Sequence, residues 1–307
     1  MEKALPIDKK RYKKPLWQRI WAAKASYIMI GPFMILFILF SVIPVGAAIV
    51  LSFTDFNMLQ TPNFVGLNNY RSLFMNDDVF MTVVKNTLVL AFITGPLSYM
   101  LCFGFAWLIN ELPGKLRAFM TMVFYVPSIS GGLMFIWTYI FSGDRYGVLN
   151  GLLMELGILD EAIQWTTDTD YMLIICIIVE IWGSLGTSFL AFMAGFKTVD
   201  EDLYEAAAID GVRNRFQEVW HVTLPQMKPQ LMFGAVMQIA TAFAVGSVEQ
   251  ALTGFPSTDY ATHTVMLHIN DYGNIRYELG YACAISTVLL VFMQITNKVI
   301  TRVLKED

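Results

Sequence analysis

Six long apolar stretches constrain this chain more than any other feature of its sequence. Each is long enough to cross the hydrocarbon core of a bilayer, which takes about 20 helical residues. Only 15% of the residues are charged, whereas a soluble domain usually carries about 25%. The pattern predicts an all-α integral membrane protein with six transmembrane helices. The predicted spans are Tyr27–Phe53, Leu88–Ile109, Phe119–Phe141, Tyr171–Phe196, Leu231–Leu252 and Leu279–Ile300.

The basic residues are distributed unevenly between the two sides of these spans. The side that holds the N-terminal tail carries 17 of the 21 Lys and Arg residues, and the other side carries Arg71, Lys85, Arg145 and Arg276. Because Lys and Arg accumulate on the cytoplasmic side of membrane proteins, both termini are predicted to lie in the cytoplasm. The polar loop after the fourth span is predicted to lie there too.

This topology divides the chain into five parts. They are a basic cytoplasmic tail (1–26), an N-terminal span (27–53), an extracytoplasmic segment (54–78), a core of five spans (79–300) and a second cytoplasmic tail (301–307). An amphipathic run up to Phe80 predicts a helix lying at the membrane interface. The chain as a whole is predicted to be a multi-pass protein of the cytoplasmic membrane.

The loop after the fourth span has the composition of two short helices joined by a turn. Residues Glu201–Ala208 favour a helix, because acidic residues stand in the first turn and alanines follow. Gly211 suits a turn, and Phe216, Val219 and Trp220 then recur at helical spacing. Two interpretations fit this pattern equally: a rigid surface offered to a soluble partner, or an amphipathic linker resting on the membrane.

The motif Tyr204-Glu-Ala-Ala-Ala-Ile-Asp-Gly211, followed by Val222-Thr-Leu-Pro225, favours the first interpretation. It resembles the EAA loop, here residues 201–225, of the permeases of binding-protein-dependent ABC importers. The likeness is greatest to the carbohydrate branch that includes the membrane subunits of the maltose transporter. Ten residues separate Gly211 from Val222, one more than in the common pattern, which predicts a rotation of the second short helix. Further motifs that resemble this family are Asn63–Tyr70, Tyr125–Pro127, Gly147–Asn150 and Gly280–Ala284.

The resemblance implies the architecture of an ABC type I importer permease, in which this loop is a coupling helix lodged in a groove of an ATPase subunit. The implied partners are a second homologous permease in a heterodimer, two copies of the ATPase, an extracytoplasmic solute-binding protein, a saccharide substrate and membrane lipid, with no nucleic acid. The residues implied to contact the ATPase are Glu205, Ala206, Ala207, Asp210 and Gly211.

The chain itself is predicted to be neither an enzyme nor a cofactor-binding protein. It has no G-x-x-x-x-G-K-[ST] phosphate loop, so ATP and Mg²⁺ are expected on the partner ATPase. Three scattered histidines and three cysteines inside apolar spans predict no metal site and no catalytic set.

Polar residues within the predicted spans mark a candidate substrate path, because burying them in lipid is costly. Glu180 is predicted to lie near mid-membrane and to face a translocation cavity or pair across an interface, whereas Ser184 and Thr187 suit helix packing. Aromatic candidates for stacking on sugar rings each have packing as an alternative role. The path candidates are Glu180, Trp182, Gln238, Thr241, Phe243, Glu249, Gln250 and Tyr281, with Glu249 and Gln250 near the outer end.

Three function classes remain in competition: an ABC importer permease, an ion-coupled secondary transporter and an integral membrane enzyme. An ion-coupled secondary transporter would also carry many spans, but usually shows inverted repeats. An integral membrane enzyme would need a convergent nucleophile, base or metal set. Within the importer class the substrate could be a non-sugar solute, because other permeases share the EAA loop. The extra N-terminal span and the Asn63–Tyr70 motif favour a saccharide.

Overall fold

A computed structural model describes residues 17–18, 21, 23–131 and 134–306, and these residues are helical apart from turns, loops and one β-bridge between Thr54 and Phe64. Most of the basic tail (1–26) lies outside the described residues. The helices are α1 (Lys24–Leu51), α2 (Asn68–Met75), α3 (Phe80–Asn110), α4 (Gly114–Ile129), α5 (Met134–Ile140), α6 (Val148–Glu155), α7 (Thr169–Gly183), α8 (Thr187–Phe196), α9 (Glu201–Ile209), α10 (Arg215–Glu218), α11 (Lys228–Phe243), α12 (Ser247–Thr253), α13 (Val265–Asn270) and α14 (Leu279–Glu306).

The chain divides into two compact units, Met1–Val50 and Leu51–Asp307. Within the second unit α3, α8 and α11 pack against one another, and α14 packs against α11. Glycines let α8 and α11 approach closely: a methyl group on Gly234 would stand 2.6 Å from the ring of Phe192. These contacts form the centre of the helical core.

Five segments in the described part of the chain are long and apolar enough to cross a membrane. They are α1, α3, the pairs α7–α8 and α11–α12, and residues Leu279–Val303 of α14. Five of the six predicted spans therefore have a helical counterpart.

The predicted third span, Phe119–Phe141, is not one continuous helix. α4 ends at Ile129, where Ser130 leaves the helical region with φ −104° and ψ 77°, and the described residues of α5 are Met134–Ile140. Pro127 weakens the last turn because it lacks an amide hydrogen. The hydroxyl of Ser130 donates to the carbonyl of Val126 at 2.8 Å, which satisfies an acceptor that the helix leaves free.

Asp77 joins three elements at the start of α3. Its Oδ1 accepts from the amides of Val79 and Phe80, while its Oδ2 lies 2.9 Å from Nε2 of His268 and accepts from the hydroxyl of Tyr281 at 2.8 Å. These contacts connect α3 with α13 and α14. They explain why α3 begins at Phe80, eight residues before the predicted boundary at Leu88.

Two of the sequence motifs hold loops in place through hydrogen bonds. In the Gly147–Asn150 motif, Asn150 is fully buried. Its side-chain amide forms hydrogen bonds with the backbone of Ser142, Asp144 and Ile163 and with the indole of Trp165. In the Asn63–Tyr70 motif, Asn69 donates to the carbonyl oxygens of Ser52 and Thr54 at 2.8 Å each. This motif leads into α2, which confirms a helix in the predicted amphipathic run.

Replacing Asp77 by Ala is expected to destabilise the protein by about 3 kcal/mol, because His268, Tyr281 and two helix amides lose a partner in a buried setting. The neighbouring exposed Asp78 is the matched control, since the same substitution there removes a solvated side chain. Thermal unfolding of both variants in detergent measures the difference. Equal melting temperatures for the two variants would contradict the role assigned to Asp77.

The stability that His263 contributes is expected to fall as the pH drops from about 6.5 towards 4. Burial lowers the pKa of His263 from 6.5 to about 4, and the nearby His268 acts in the same direction. The unfolded chain therefore binds more protons in this window, and acidification favours unfolding. Burial acts to raise the pKa of Asp77, but hydrogen bonds from His268 and Tyr281 lower it below 3.8, outside this window.

A His263→Phe variant tests this prediction, because Phe cannot be protonated and the site is already lined by the rings of Phe255 and Tyr260. Its melting temperature should lose part of the slope between pH 6.5 and 4, whereas a variant of the exposed His221 should keep the slope. An unchanged slope in His263→Phe would show that another group titrates.

Candidate functional site

A cavity of about 440 Å³ lies among α3, α4, α7, α8, α11 and α12. Of the 22 described residues that line it, 11 carry a hydroxyl or amide side chain, and Glu180 is the one with a carboxyl group. The polar lining consists of Thr94, Ser98, Tyr125, Ser128, Ser130, Glu180, Ser184, Thr187, Ser188, Gln238, Thr241 and Ser247.

Three helix interruptions open onto this cavity. They are the end of α4 at Ser130–Gly131, the segment 184–186 between α7 and α8, and the segment 244–246 between α11 and α12. Backbone groups without helical partners are tolerated at membrane depth only where protein covers them or a water-filled cavity solvates them. The free backbone groups at the helix breaks therefore need the cavity, where water or protein groups can bind them.

Three of the predicted path residues line the cavity: Glu180, Gln238 and Thr241. Gln238 is held in place, because its Oε1 accepts from the hydroxyl of Ser188 at 3.2 Å. Ser184 and Thr187, interpreted from the sequence as packing residues, also lie on the cavity wall.

The other five path candidates do not line the cavity. Glu249 is fully buried, and Gln250 is exposed. Trp182 packs on Trp137 with ring centroids 5.3 Å apart, and Phe243 packs on Phe292 at 5.4 Å. Tyr281 donates to Asp77.

Sequence reasoning missed the contribution of α3. Thr94 and Ser98 are four residues apart, which places both on one face of the helix, and both line the cavity. That spacing of two hydroxyl residues inside an apolar span is a signal that could have identified them. Ser98 is buried and its hydroxyl has no hydrogen-bond partner among the described residues.

Residues 201–225 form a second candidate site, named here the coupling loop. Its first helix, α9, is capped at the N-terminus by Asp200, whose carboxylate accepts from the amide of Asp202. Gly211 follows the other end of α9 and has φ +97°. The amide of Gly211 donates to the carbonyl of Ala208, and the amide of Val212 donates to the carbonyl of Ala207. This is a Schellman motif, which requires a left-handed residue and therefore favours glycine.

The second half of the coupling loop contains a π-helical turn. Asn214 caps α10 by accepting from the amide of Gln217 at 2.9 Å, and Gln217 accepts in return from the amide of Arg213. α10 continues into a π-helical turn, Val219–Thr223, and then into the short helix Leu224–Gln226. A π turn holds one residue more than an α turn.

The coupling loop has one face attached to the helical core and one face exposed. Val222 of the loop and Met227, just after it, are buried in a cluster with residues of α3 and α8. The hydroxyl groups of Tyr204 and Thr223 form a hydrogen bond of 2.9 Å. Among the predicted contact residues Ala207 is half-buried against this cluster, and the others are exposed. The exposed members are Glu205, Ala206, Asp210 and Gly211.

Large apolar side chains stand exposed on the same loop. Ile209 is 86% exposed, Phe216 is 74% exposed and Trp220 is 70% exposed. The coupling loop therefore combines capped helix ends with exposed apolar side chains, which single a surface out as a candidate for interaction.

Long apolar helices, a polar cavity at three helix breaks and exposed apolar side chains on the coupling loop suit a membrane transport subunit. The family of binding-protein-dependent transport system inner membrane components matches residues 114–304. The chain belongs to this family. It is a multi-pass permease subunit of an ABC importer, and the ATPase of such an importer is a separate subunit.

Two relatives each cover 88% of the chain. The probable ABC transporter permease YesP of Bacillus subtilis is 33% identical over 88% of this chain and 86% of its own length. The trehalose/maltose permease MalF of Thermococcus litoralis is 30% identical over 88% of this chain and 90% of its own length. A bacterial alginate ABC transporter, solved with its pentasaccharide-bound periplasmic protein, has a TM-score of 0.72 at 25% identity and covers 94% of this chain and 98% of its own.

Replacing Gly211 by Pro is expected to reduce ATP-dependent uptake at least about tenfold while the chain still reaches the membrane. Proline fixes φ near −65° and removes the amide that bonds Ala208, so the Schellman motif cannot form. Uptake by the assembled transporter measures the effect. Gly157→Pro is the matched control, because Gly157 also has a positive φ (+68°) but lies outside the coupling loop. Wild-type uptake by Gly211→Pro would contradict the prediction.

Proposed function

We propose that this chain forms half of the translocation path of an ATP-driven importer of oligosaccharides. The cavity is the observation that carries the proposal, because saccharides need both hydrogen-bond donors and acceptors and its wall supplies hydroxyl, amide and carboxylate groups. In this proposal Glu180, Gln238 and Thr241 contact the substrate.

Relatives support a saccharide as the substrate. MalF is named for the transport of trehalose and maltose, and the alginate transporter was solved with a periplasmic protein that carries a pentasaccharide. A cavity of about 440 Å³ in one subunit holds a short saccharide when a second subunit closes it. The second subunit is a different permease in this proposal, so that the membrane part is a heterodimer.

The topology completes this proposal. α4 and α5 together cross the bilayer as the third of six spans, with the break between them facing the cavity. Both termini and the coupling loop lie in the cytoplasm, as the distribution of Lys and Arg predicts. The extracytoplasmic side then meets the solute-binding protein.

The exposed face of the coupling loop binds the ATPase. Glu205, Ala206, Asp210 and Gly211, with the apolar side chain of Ile209, enter a groove of that subunit, and Ala207 helps to anchor α9 to the core. Two ATPase copies bind ATP and Mg²⁺ and serve the two permeases. ATP binds to the ATPase and favours the conformation for which it has the higher affinity. The coupling loop is the connection through which that preference reaches this chain.

Reconstitution tests the function directly. The chain is incorporated into proteoliposomes with its second permease, the ATPase and the binding protein, and uptake of a panel of labelled saccharides is measured with and without ATP. Uptake of at least one saccharide is expected, and only with ATP and the complete assembly. The chain alone should hydrolyse no ATP.

Two results would contradict the proposal. Transport of an amino acid or another non-sugar solute, with no saccharide transported, would leave an importer of a different class. Uptake by this chain alone, driven by an ion gradient and independent of ATP, would show an ion-coupled secondary transporter instead.

A further inference from the structure

The charge of the cavity is one-sided. Of the described residues that line it, Glu180 is the one with an acidic side chain, and none is Lys, Arg or His. The remaining polar lining is neutral. An acidic ligand would therefore find a carboxylate and no cationic partner on this wall.

A second carboxylate lies behind the first. Glu249 is fully buried, and neither of its carboxylate oxygens has a hydrogen-bond partner among the described residues. It directly follows Val248, which lines the cavity and packs in one buried cluster with Val179, the neighbour of Glu180. Glu249 therefore supplies no positive charge that could offset Glu180.

We infer that this cavity selects saccharides without acidic groups, and that it admits neutral sugars and amino sugars but rejects uronates and sulfated sugars. The inference rests on the proposed function. It names the charge of the substrate, which the family does not settle.

The physical basis is repulsion in a partly dry site. Two like charges interact several-fold more strongly near protein than in bulk water, because the effective dielectric constant is lower. Recognition of a sugar carboxylate normally uses Arg or Lys, and Arg does so with paired hydrogen bonds. A neutral sugar avoids the repulsion and can donate a hydroxyl hydrogen to Glu180. The ammonium group of an amino sugar is attracted to Glu180. The same side chain therefore favours amino sugars and excludes acidic sugars.

Binding to the assembled transporter, without the binding protein, tests the inference at the cavity itself. Three tetrasaccharides of equal length are titrated calorimetrically: a neutral glucan, a glucosamine oligomer and a uronate oligomer. The wild-type assembly should bind the neutral and amino forms at least about tenfold more tightly than the uronate, as expected for a nearby like charge.

Two variants assign the effect. Glu180→Gln keeps the shape of the side chain and removes its charge, so it should weaken the preference about tenfold or more. Glu155→Gln, at an exposed position of α6 outside the cavity, should leave the preference unchanged. Glu180→Ala, which also removes the charge, serves if Glu180→Gln fails to assemble, and it should weaken the preference in the same direction.

The outcomes separate the inference from the proposed function. Uronate binding as tight as neutral binding in the wild type overturns the inference and leaves oligosaccharide import intact. A preference that survives both charge-removing variants overturns it as well. Failure of all three saccharides to bind, together with the absence of saccharide uptake in proteoliposomes, overturns both.

Discussion

The architecture depends on one constraint: backbone groups in a bilayer must have hydrogen-bond partners or reach water. Three helix interruptions would be costly in lipid, and all three open onto the same polar cavity. Side-chain hydroxyls assist at the breaks, as Ser130 and Ser184 do by donating to carbonyl oxygens of the preceding turn. The cavity is thus the place where helices can end inside the membrane part of the protein, and its polar wall is what a hydrophilic substrate requires.

A continuous set of packed side chains links this cavity to the coupling loop. Ser188 lies on the cavity wall, and the next residue of α8, Phe189, belongs to the buried cluster that also holds Val222 of the loop. The Schellman motif at Gly211 and the cap at Asn214 fix the backbone between the two short helices. The loop is therefore packed directly on α8 and α3.

The sequence predicted those features that leave a local signal. Five of the spans are visible because apolar runs of that length have few alternatives, and α9 is visible because acids, alanines and a glycine follow one another. Glu180 stands out as a charge within an apolar run. The break after α4 was missed, because hydropathy averages over Pro127 and Ser130. The role of Tyr281 was missed because its partner, Asp77, lies 204 residues away along the chain. Partners at such separations cannot be read from spacing.

Photo-cross-linking from Ala206 tests most directly the claim that an ATPase acts through the coupling loop. Ala206 is exposed on α9, whereas Ala207 is half-buried. A photoreactive residue at position 206 of the assembled transporter should capture the ATPase subunit, and the cross-linked assembly should lose ATP-dependent uptake. Normal uptake without any capture of the ATPase from this position would contradict the account.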